Sequence, residues 1–280
     1  MKKVLVPTDF SDNAWDALTY AIRLYDDIPC RFYILNTYQV NTSRTTNTMH
    51  KKRDTHMYRM LKETSEKELR KIKNYLNNNL LNDKHEYKII SKTGALLTII
   101  KQLISDEKID MIVMGTSGAT GAKEIFMGSN TVKIIKHIDS CPIISVPLKY
   151  EYEEPEQLIF ATDFKRHFNK TELNCLIELQ LIHNFEIKVL HVKKGKMLNS
   201  IQQQNKDVLK QCLDNGNTIF EEITTYTTIA DAINNHTEEH TINMVCLLNY
   251  EHSFIEKLTH EPIIKKISFH SAIPLLILPV

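Results

Sequence analysis

Glycine is scarce in this chain: only seven of the 280 residues are glycine, against a usual frequency of roughly 7%. Four of the seven lie between residues 115 and 128. Glycine permits backbone conformations with positive φ and lets the backbone come close to a ligand. Because the chain avoids glycine elsewhere and gathers it in one segment, we expect that segment to be a functional loop.

Long hydrophobic runs and an excess of one charge are also absent. No stretch of about 18 consecutive apolar residues occurs, so we expect no membrane span. The apolar run near Met1 is too short for the core of a secretory signal, and we therefore expect a cytoplasmic protein. Lys and Arg number 35 against 34 Asp and Glu, a net charge of +1, which argues against a dedicated nucleic-acid-binding protein.

The cysteines offer no framework for a disulfide-rich or zinc-binding protein. Their number, five, is odd, they are widely spaced, and no Cys-x-x-Cys pair occurs. We expect small, mostly buried thiols in a reducing compartment.

The sequence does contain a regular alternation of short apolar runs and helical spacing. Five runs are predicted to be strands: Lys3–Pro7, Arg31–Leu35, Glu86–Ile90, Asp110–Met114 and Pro142–Val146. Helices are predicted from Asn13, from the end of a polar stretch at 41–56 to about Leu81, over Leu96–Ile104 and over Ser129–Ile138. This alternation predicts an α/β fold, with a parallel sheet and helices on both faces.

The same pattern then begins again, which indicates an internal duplication. Thr-Asp-Phe at 8–10 recurs at 162–164, Ile109–Gly115 matches Ile242–Leu248, and Cys141–Pro147 matches Ile273–Pro279. We therefore predict two tandem doubly wound domains, at 1–148 and 157–280, joined by a charged linker at 149–156. Their last strands are expected to be edge strands that pair with each other within the chain, and two chains could associate further.

Ligands of such sheets bind outside the carboxyl ends of the strands, where the strand order reverses. Asp9 follows the first strand, and the glycine segment follows the fourth. If these two strands are neighbours, both loops line one crevice.

The glycine segment has the spacing Gly115-x2-Gly118-x9-Gly128-Ser129. It fits neither a Walker A loop, nor a dinucleotide-binding fingerprint, nor a hydrolase nucleophile elbow. It resembles the nucleotide-binding motif of the universal stress protein family, G-x2-G-x9-G-[ST]. Val-Pro-Thr-Asp at the end of the first strand and the closing Cys-Pro-x-x-x-Val-Pro are also similar to that family, and the resemblance covers the whole chain as a tandem pair.

The resemblance implies Rossmann-like domains of the adenine nucleotide alpha hydrolase type. It also implies that the protein is a cytoplasmic stress-response regulator that binds ATP, with or without Mg²⁺. In the family the aspartate meets adenine, and the position of Thr37 contacts the base through its backbone. Unpaired N–H groups at the helix that Gly128 and Ser129 open suit a phosphate. The implied nucleotide-binding residues are Pro7, Thr8, Asp9, Thr37, Met114, Gly115, Gly118, Gly128, Ser129 and Asn130.

Structural alternatives stand beside these assignments. Asp9 could serve only as the N-cap of the first helix, and Ser129 could cap the helix that follows the glycine segment. The His236–His240 segment matches the zinc-peptidase pattern H-x-x-E-H. No third ligand is apparent, so we expect a polar, solvent-facing helix end.

The second copy has no glycine in the equivalent loop after residue 249, and Pro262 falls near its helix start. We therefore expect one ATP per chain, in the first copy. Two other functions remain open: a slow ATPase or phosphotransferase, for which no catalytic base is evident, and a nucleotide-free interaction module.

Overall fold

The computed structural model describes residues 1–39, 48–116, 127–193, 197–214, 217–225, 229–249 and 273–280. Its strands are β1 (Lys2–Pro7), β2 (Cys30–Tyr38), β3 (His85–Thr93), β4 (Met111–Gly115), β5 (Ile143–Val146), β6 (Gln157–Ala161), β7 (Glu186–Lys193), β8 (Thr218–Thr224), β9 (Met244–Leu248) and β10 (Leu275–Leu278). Its helices are α1 (Asp12–Leu24), α2 (Thr48–Asn79), α3 (Leu96–Glu107), α4 (Ser129–His137), α5 (Lys170–His183), α6 (Ser200–Cys212) and α7 (Ile229–Glu239).

These ten strands form one sheet in the order β3-β2-β1-β4-β5-β10-β9-β6-β7-β8. Neighbouring strands are parallel except β5 and β10, which pair antiparallel with Ile144 opposite Leu276. The order is that of two five-stranded units set back to back, so the predicted tandem doubly wound α/β fold is confirmed. The two strands expected at the edges of their units lie at the centre of the joint sheet.

Both faces of the sheet are covered, which is why its central strands are almost continuously apolar. Val4 and Val6 of β1 pack in a core with residues of α1, α2, α5 and α6. Leu5 points to the opposite face, in a core with residues of α3, α4 and α7. The helices of each unit therefore divide between the two faces, and the carboxyl ends of the central strands stay open to loops.

The Thr-Asp-Phe segments at 8–10 and 162–164 fold into the same turn. In each, the threonine Oγ1 accepts a hydrogen bond from the phenylalanine N–H, at 3.0 and 3.1 Å. The aspartate Oδ1 accepts from the N–H two residues further on, at 3.1 Å in both. Phe10 and Phe164 both adopt the left-handed region, with φ of 66° and 53°. The duplication seen in the sequence therefore extends to backbone detail.

Some predicted bounds were wrong. Strands β2 and β3 continue three residues past their predicted ends, to Tyr38 and Thr93. Helix α2 begins at Thr48, inside the polar stretch that was expected to precede it. Residues 48–56 contain a single apolar residue, Met49, so the sequence shows no helical period there.

Candidate functional site

The first and fourth strands are neighbours, which is the condition on which the predicted crevice depends. Strand β1 pairs in parallel with β4, with Val4 opposite Met111 and Leu5 opposite Ile112. Neighbouring strands in a sheet lie about 4.8 Å apart. The turn at Asp9 and the segment that follows Gly115 therefore leave the sheet side by side at its carboxyl edge.

Asp9 is not the N-cap of α1. Ser11 holds that position, and its side chain accepts a hydrogen bond from the N–H of Ala14. Asp9 stands behind the cap, where its Oδ1 accepts from the N–H of Ser11 at 3.1 Å and from its Oγ at 2.5 Å. The capping alternative for Asp9 is therefore wrong, and the exposed Asp9 side chain lies at the mouth of the crevice.

Thr8, next to Pro7, is engaged by the fold itself. Its N–H donates to the carbonyl oxygen of Leu35 at 2.7 Å, and its own carbonyl oxygen accepts from Nδ2 of Asn36 at 2.7 Å. Its hydroxyl holds the turn described above. Thr8 thus fixes where Asp9 points, and Asn36, a residue that the sequence analysis missed, secures it from β2.

Gly115 is required by packing rather than by a sharp turn. A Cβ atom there would lie 2.5 Å from Oδ1 and 2.9 Å from the backbone oxygen of Asn13. Asn13 is buried, and its Nδ2 donates to the carbonyl oxygen of Val146 at 3.1 Å. Gly115 has no positive φ, and the missing side chain lets α1 approach the end of β4. The side chain of Met114 is buried in the core, so only its backbone can face the crevice.

The N-terminus of α4 carries no side-chain cap. Gly128 is the N-cap residue, with φ −59° and ψ 151°, and Ser129 is the first helical residue. The capping alternative for Ser129 is therefore wrong, and its side chain is exposed. The first N–H groups of a helix have no acceptor within it and attract anions.

Two hydrogen bonds hold this helix start against β4. The N–H of Gly128 donates to the carbonyl oxygen of Thr116 at 2.5 Å, and Oγ1 of Thr131 donates to the carbonyl oxygen of Gly115 at 2.9 Å. Thr131 closes the glycine segment in the sequence, but the sequence analysis gave it no role. Its hydroxyl fixes the position of the α4 N-terminus relative to the crevice.

A cavity of about 260 Å³ opens beside the crevice. It joins Thr37 at the end of β2 to Asn130 at the start of α4, and Gly94 and Lys133 also line it. Gly94 has φ 138° and its N–H donates to the carbonyl oxygen of Tyr38 at 3.0 Å, so the turn from β3 to α3 needs a glycine. Gly94 and Lys133 were missed; the signal for Gly94 was its place among only seven glycines.

In the C-terminal half, helix α6 holds the equivalent turn. Gln202 Nε2 donates to the carbonyl oxygen of Asp163, and Asn205 Nδ2 donates to that of Phe164, both at 2.8 Å. Phe164 is 1% exposed, whereas Phe10 is 36% exposed. The two halves therefore share the turn but differ in what surrounds it.

Two predictions fall outside the described residues. One concerns Gly118, which lies in segment 117–126, and the other concerns the glycine-free loop of the second copy, at 250–272. Both stay predictions.

The H-x-x-E-H segment faces solvent as expected at residues 238–240, but not at its first histidine. His236 is buried, its Nε2 lies 3.3 Å from Oε2 of Glu221, and its ring stacks on His240 at 4.2 Å. Burial, His240 and Lys188 lower the pKa of His236, and Glu221 opposes them. Among the described residues no group of three His, Cys, Asp or Glu could hold a metal ion.

A second cavity lies at the amino end of the first strands, far from both loops. It measures about 580 Å³ and is lined by Asp26, Asp27, Leu81 and the segment 82–84. This cavity is larger than the one beside Thr37, but neither the N-terminus of a helix nor the carboxyl end of a strand lines it.

The described helices include none that is long and apolar enough to cross a membrane.

The paired carboxyl-end loops and the uncapped helix start lie where doubly wound α/β proteins bind their ligands. The sequence pattern of the Universal stress protein family matches residues 1–147. The chain therefore belongs to the universal stress protein family.

Individual relatives agree with this assignment. Universal stress protein MJ0531 of Methanocaldococcus jannaschii is 29% identical over 147 residues, 52% of this chain and 81% of that protein. Universal stress protein MJ0577 of the same organism is 29% identical over 163 residues, 53% of this chain and 96% of that protein. A universal stress protein from Archaeoglobus fulgidus has the same fold over 98% of this chain and 95% of its own, with a TM-score of 0.65 and 14% identity.

Proposed function

We propose that the protein is a cytoplasmic universal stress protein that binds one ATP in its N-terminal half and signals through a nucleotide-dependent conformation or partner. The observation that carries the proposal is the uncapped start of α4, at Gly128 and Ser129, held across the crevice from Asp9 by the pairing of β1 with β4. The domains remain those proposed from the sequence, at 1–148 and 157–280.

The base and the phosphates of the nucleotide bind at opposite sides of this crevice. The triphosphate lies at the first turn of α4, where N–H groups attract anions. The adenine lies toward Asp9 and Thr37, where a carboxylate can accept from the exocyclic amine. Mg²⁺ that accompanies the triphosphate would be held by phosphate oxygens and water, its usual ligands in phosphate sites.

Asp9 and Asp163 provide a matched pair of variants, because each accepts a hydrogen bond from the backbone N–H two residues further on. We expect Asp9→Asn to weaken ATP binding about tenfold to a hundredfold, the value of a charge-assisted hydrogen bond of roughly 1.5–3 kcal/mol. Its preference for ATP over GTP should also relax. Asp163→Asn should leave both unchanged, and both variants should melt near the parent temperature.

Titration calorimetry on the full chain measures these constants and the stoichiometry, with Asp9→Ala beside Asp9→Asn in case the amide oxygen turns toward the base. One ATP per chain is expected. Two equivalent sites would contradict the assignment to the N-terminal half, and no binding at all would favour the nucleotide-free interaction module. A single-turnover assay separates a binding protein, in which ATP stays intact, from a slow ATPase.

A further inference from the structure

The cavity beside the crevice shares Thr37 and Asn130 with the nucleotide contacts above, and the rest of its lining is not used by them. It lies between the end of β2, the turn from β3 to α3 and one side of α4, and it is lined by Thr37, Gln39, Gly94, Ala95, Leu96, Leu97, Asn130, Lys133 and Ile134. Its volume of about 260 Å³ is just below the roughly 300–1,000 Å³ of complete small-molecule sites. It is therefore the size of a subsite for one part of a ligand.

The charged side chain that lines this cavity is positive, and no negative one balances it. Lys133 supplies a positive charge, and none of the nine lining residues is acidic. Asn130 and Gln39 add amide N–H donors. Ala95 is the N-cap of α3 and offers no side-chain acceptor, so the first N–H groups of that helix are left for another partner. A lysine and amide donors without a carboxylate suit an anionic group.

The position of the cavity identifies which part of the nucleotide reaches it, and this step rests on the proposed function. Thr37 marks the base end of the nucleotide and Asn130 the phosphate end, and the cavity touches both. The ribose lies between base and phosphates, and its 2′ and 3′ oxygens are the free positions from which a further group can branch. We propose that this cavity binds a phosphate monoester on the ribose 2′ or 3′ oxygen of the adenine nucleotide, with Lys133 as its cationic ligand.

The test compares the affinities of AMP, adenosine 2′,5′-bisphosphate and adenosine 3′,5′-bisphosphate for the full chain by titration calorimetry. At least one bisphosphate is expected to bind about tenfold more tightly than AMP, and the better isomer shows which ribose oxygen carries the group. Lys133→Gln should reduce this gain to less than about threefold. Lys136→Gln is the matched control: Lys136 is exposed on the same helix but does not line the cavity, so its gain should remain tenfold.

ATP is titrated in the same series to separate the two proposals. If ATP binds but neither bisphosphate exceeds AMP, the subsite is overturned and the proposed function stands. A gain that survives in Lys133→Gln also overturns the subsite, because the extra phosphate would then bind elsewhere. If neither ATP nor AMP binds, the proposed function fails and the subsite fails with it.

Discussion

Gly115→Ala tests whether this glycine serves the fold or the ligand. The new Cβ atom would meet Oδ1 of Asn13 at 2.5 Å, its Cγ at 2.7 Å and its backbone oxygen at 2.9 Å. Rotation of the Asn13 side chain relieves only the first two contacts, and it would break the buried hydrogen bond to Val146. Overpacking of this kind costs about 1–3 kcal/mol, and the loss of unfolded-chain entropy offsets only about 0.4–1 kcal/mol.

We therefore expect Gly115→Ala to lower the free energy of unfolding by about 1–2 kcal/mol without nucleotide. At about 2–4 °C per kcal/mol for a protein near this size, the melting temperature should fall by about 2–8 °C. Circular dichroism melts and urea midpoints measure this change. In the Asn13→Ala background the same substitution should cost less, because two of the three contacts are gone.

A Gly115→Ala variant that melts with the parent but no longer binds ATP would refute the packing argument. The glycine would then serve the approach of the ligand, as the sequence alone had suggested.

Three further predictions concern other parts of the chain. Gly118→Val should weaken ATP binding at least about tenfold, roughly 1.4 kcal/mol, because the sequence motif predicts that the backbone approaches phosphate at this glycine; calorimetry measures the affinity, and the melt without ligand should change little. His236 has a pKa below its ordinary value of about 6.5, so the stability that its neutral ring supports is lost as pH falls below about 6.5. In His236→Gln, urea midpoints should therefore depend less on pH between 7 and 5, and an unchanged slope would contradict the assignment. Lys193 and Lys206 lower the pKa of Glu222 to about 2, so its contribution is present above about pH 4.3 and is lost as pH falls toward 2. Because Glu222 is partly exposed, Glu222→Gln should cost at most about 1 kcal/mol at pH 7, and urea unfolding at pH 7 and pH 3 should show a smaller difference than in the parent.

The sequence predicted the fold well where buried apolar residues recur at the spacing of a strand or a helix. The apolar runs of the central strands are buried on both faces, and the repeated Thr-Asp-Phe segment indicates the duplication from the sequence alone. The prediction failed at the start of α2, because residues 48–56 contain Met49 as their single apolar residue. The ends of β2 and β3 were missed for a similar reason: Asn36 and Thr93 are polar residues that extend the strands beyond their apolar cores.

The site was predictable in its location but not in the role of each side chain. The sequence placed Asp9 after the first strand and the glycine segment after the fourth, and the β1–β4 pairing supplies the adjacency that a shared crevice requires. It could not show that Ser11 rather than Asp9 caps α1, because both residues are good N-caps and only the geometry distinguishes them. It also could not connect Gly115 with Asn13, since a contact between residues 102 positions apart leaves no local pattern.

The antiparallel pairing of β5 with β10 has a consequence for how the protein behaves on dilution. Two separate chains joined by such strands would come apart at low concentration, because their association follows mass action. Here both strands belong to one polypeptide, so the effective concentration of one for the other is fixed by the intervening chain. The joint sheet, and with it the placement of α4, therefore stays the same whether the cell holds few copies of the protein or many.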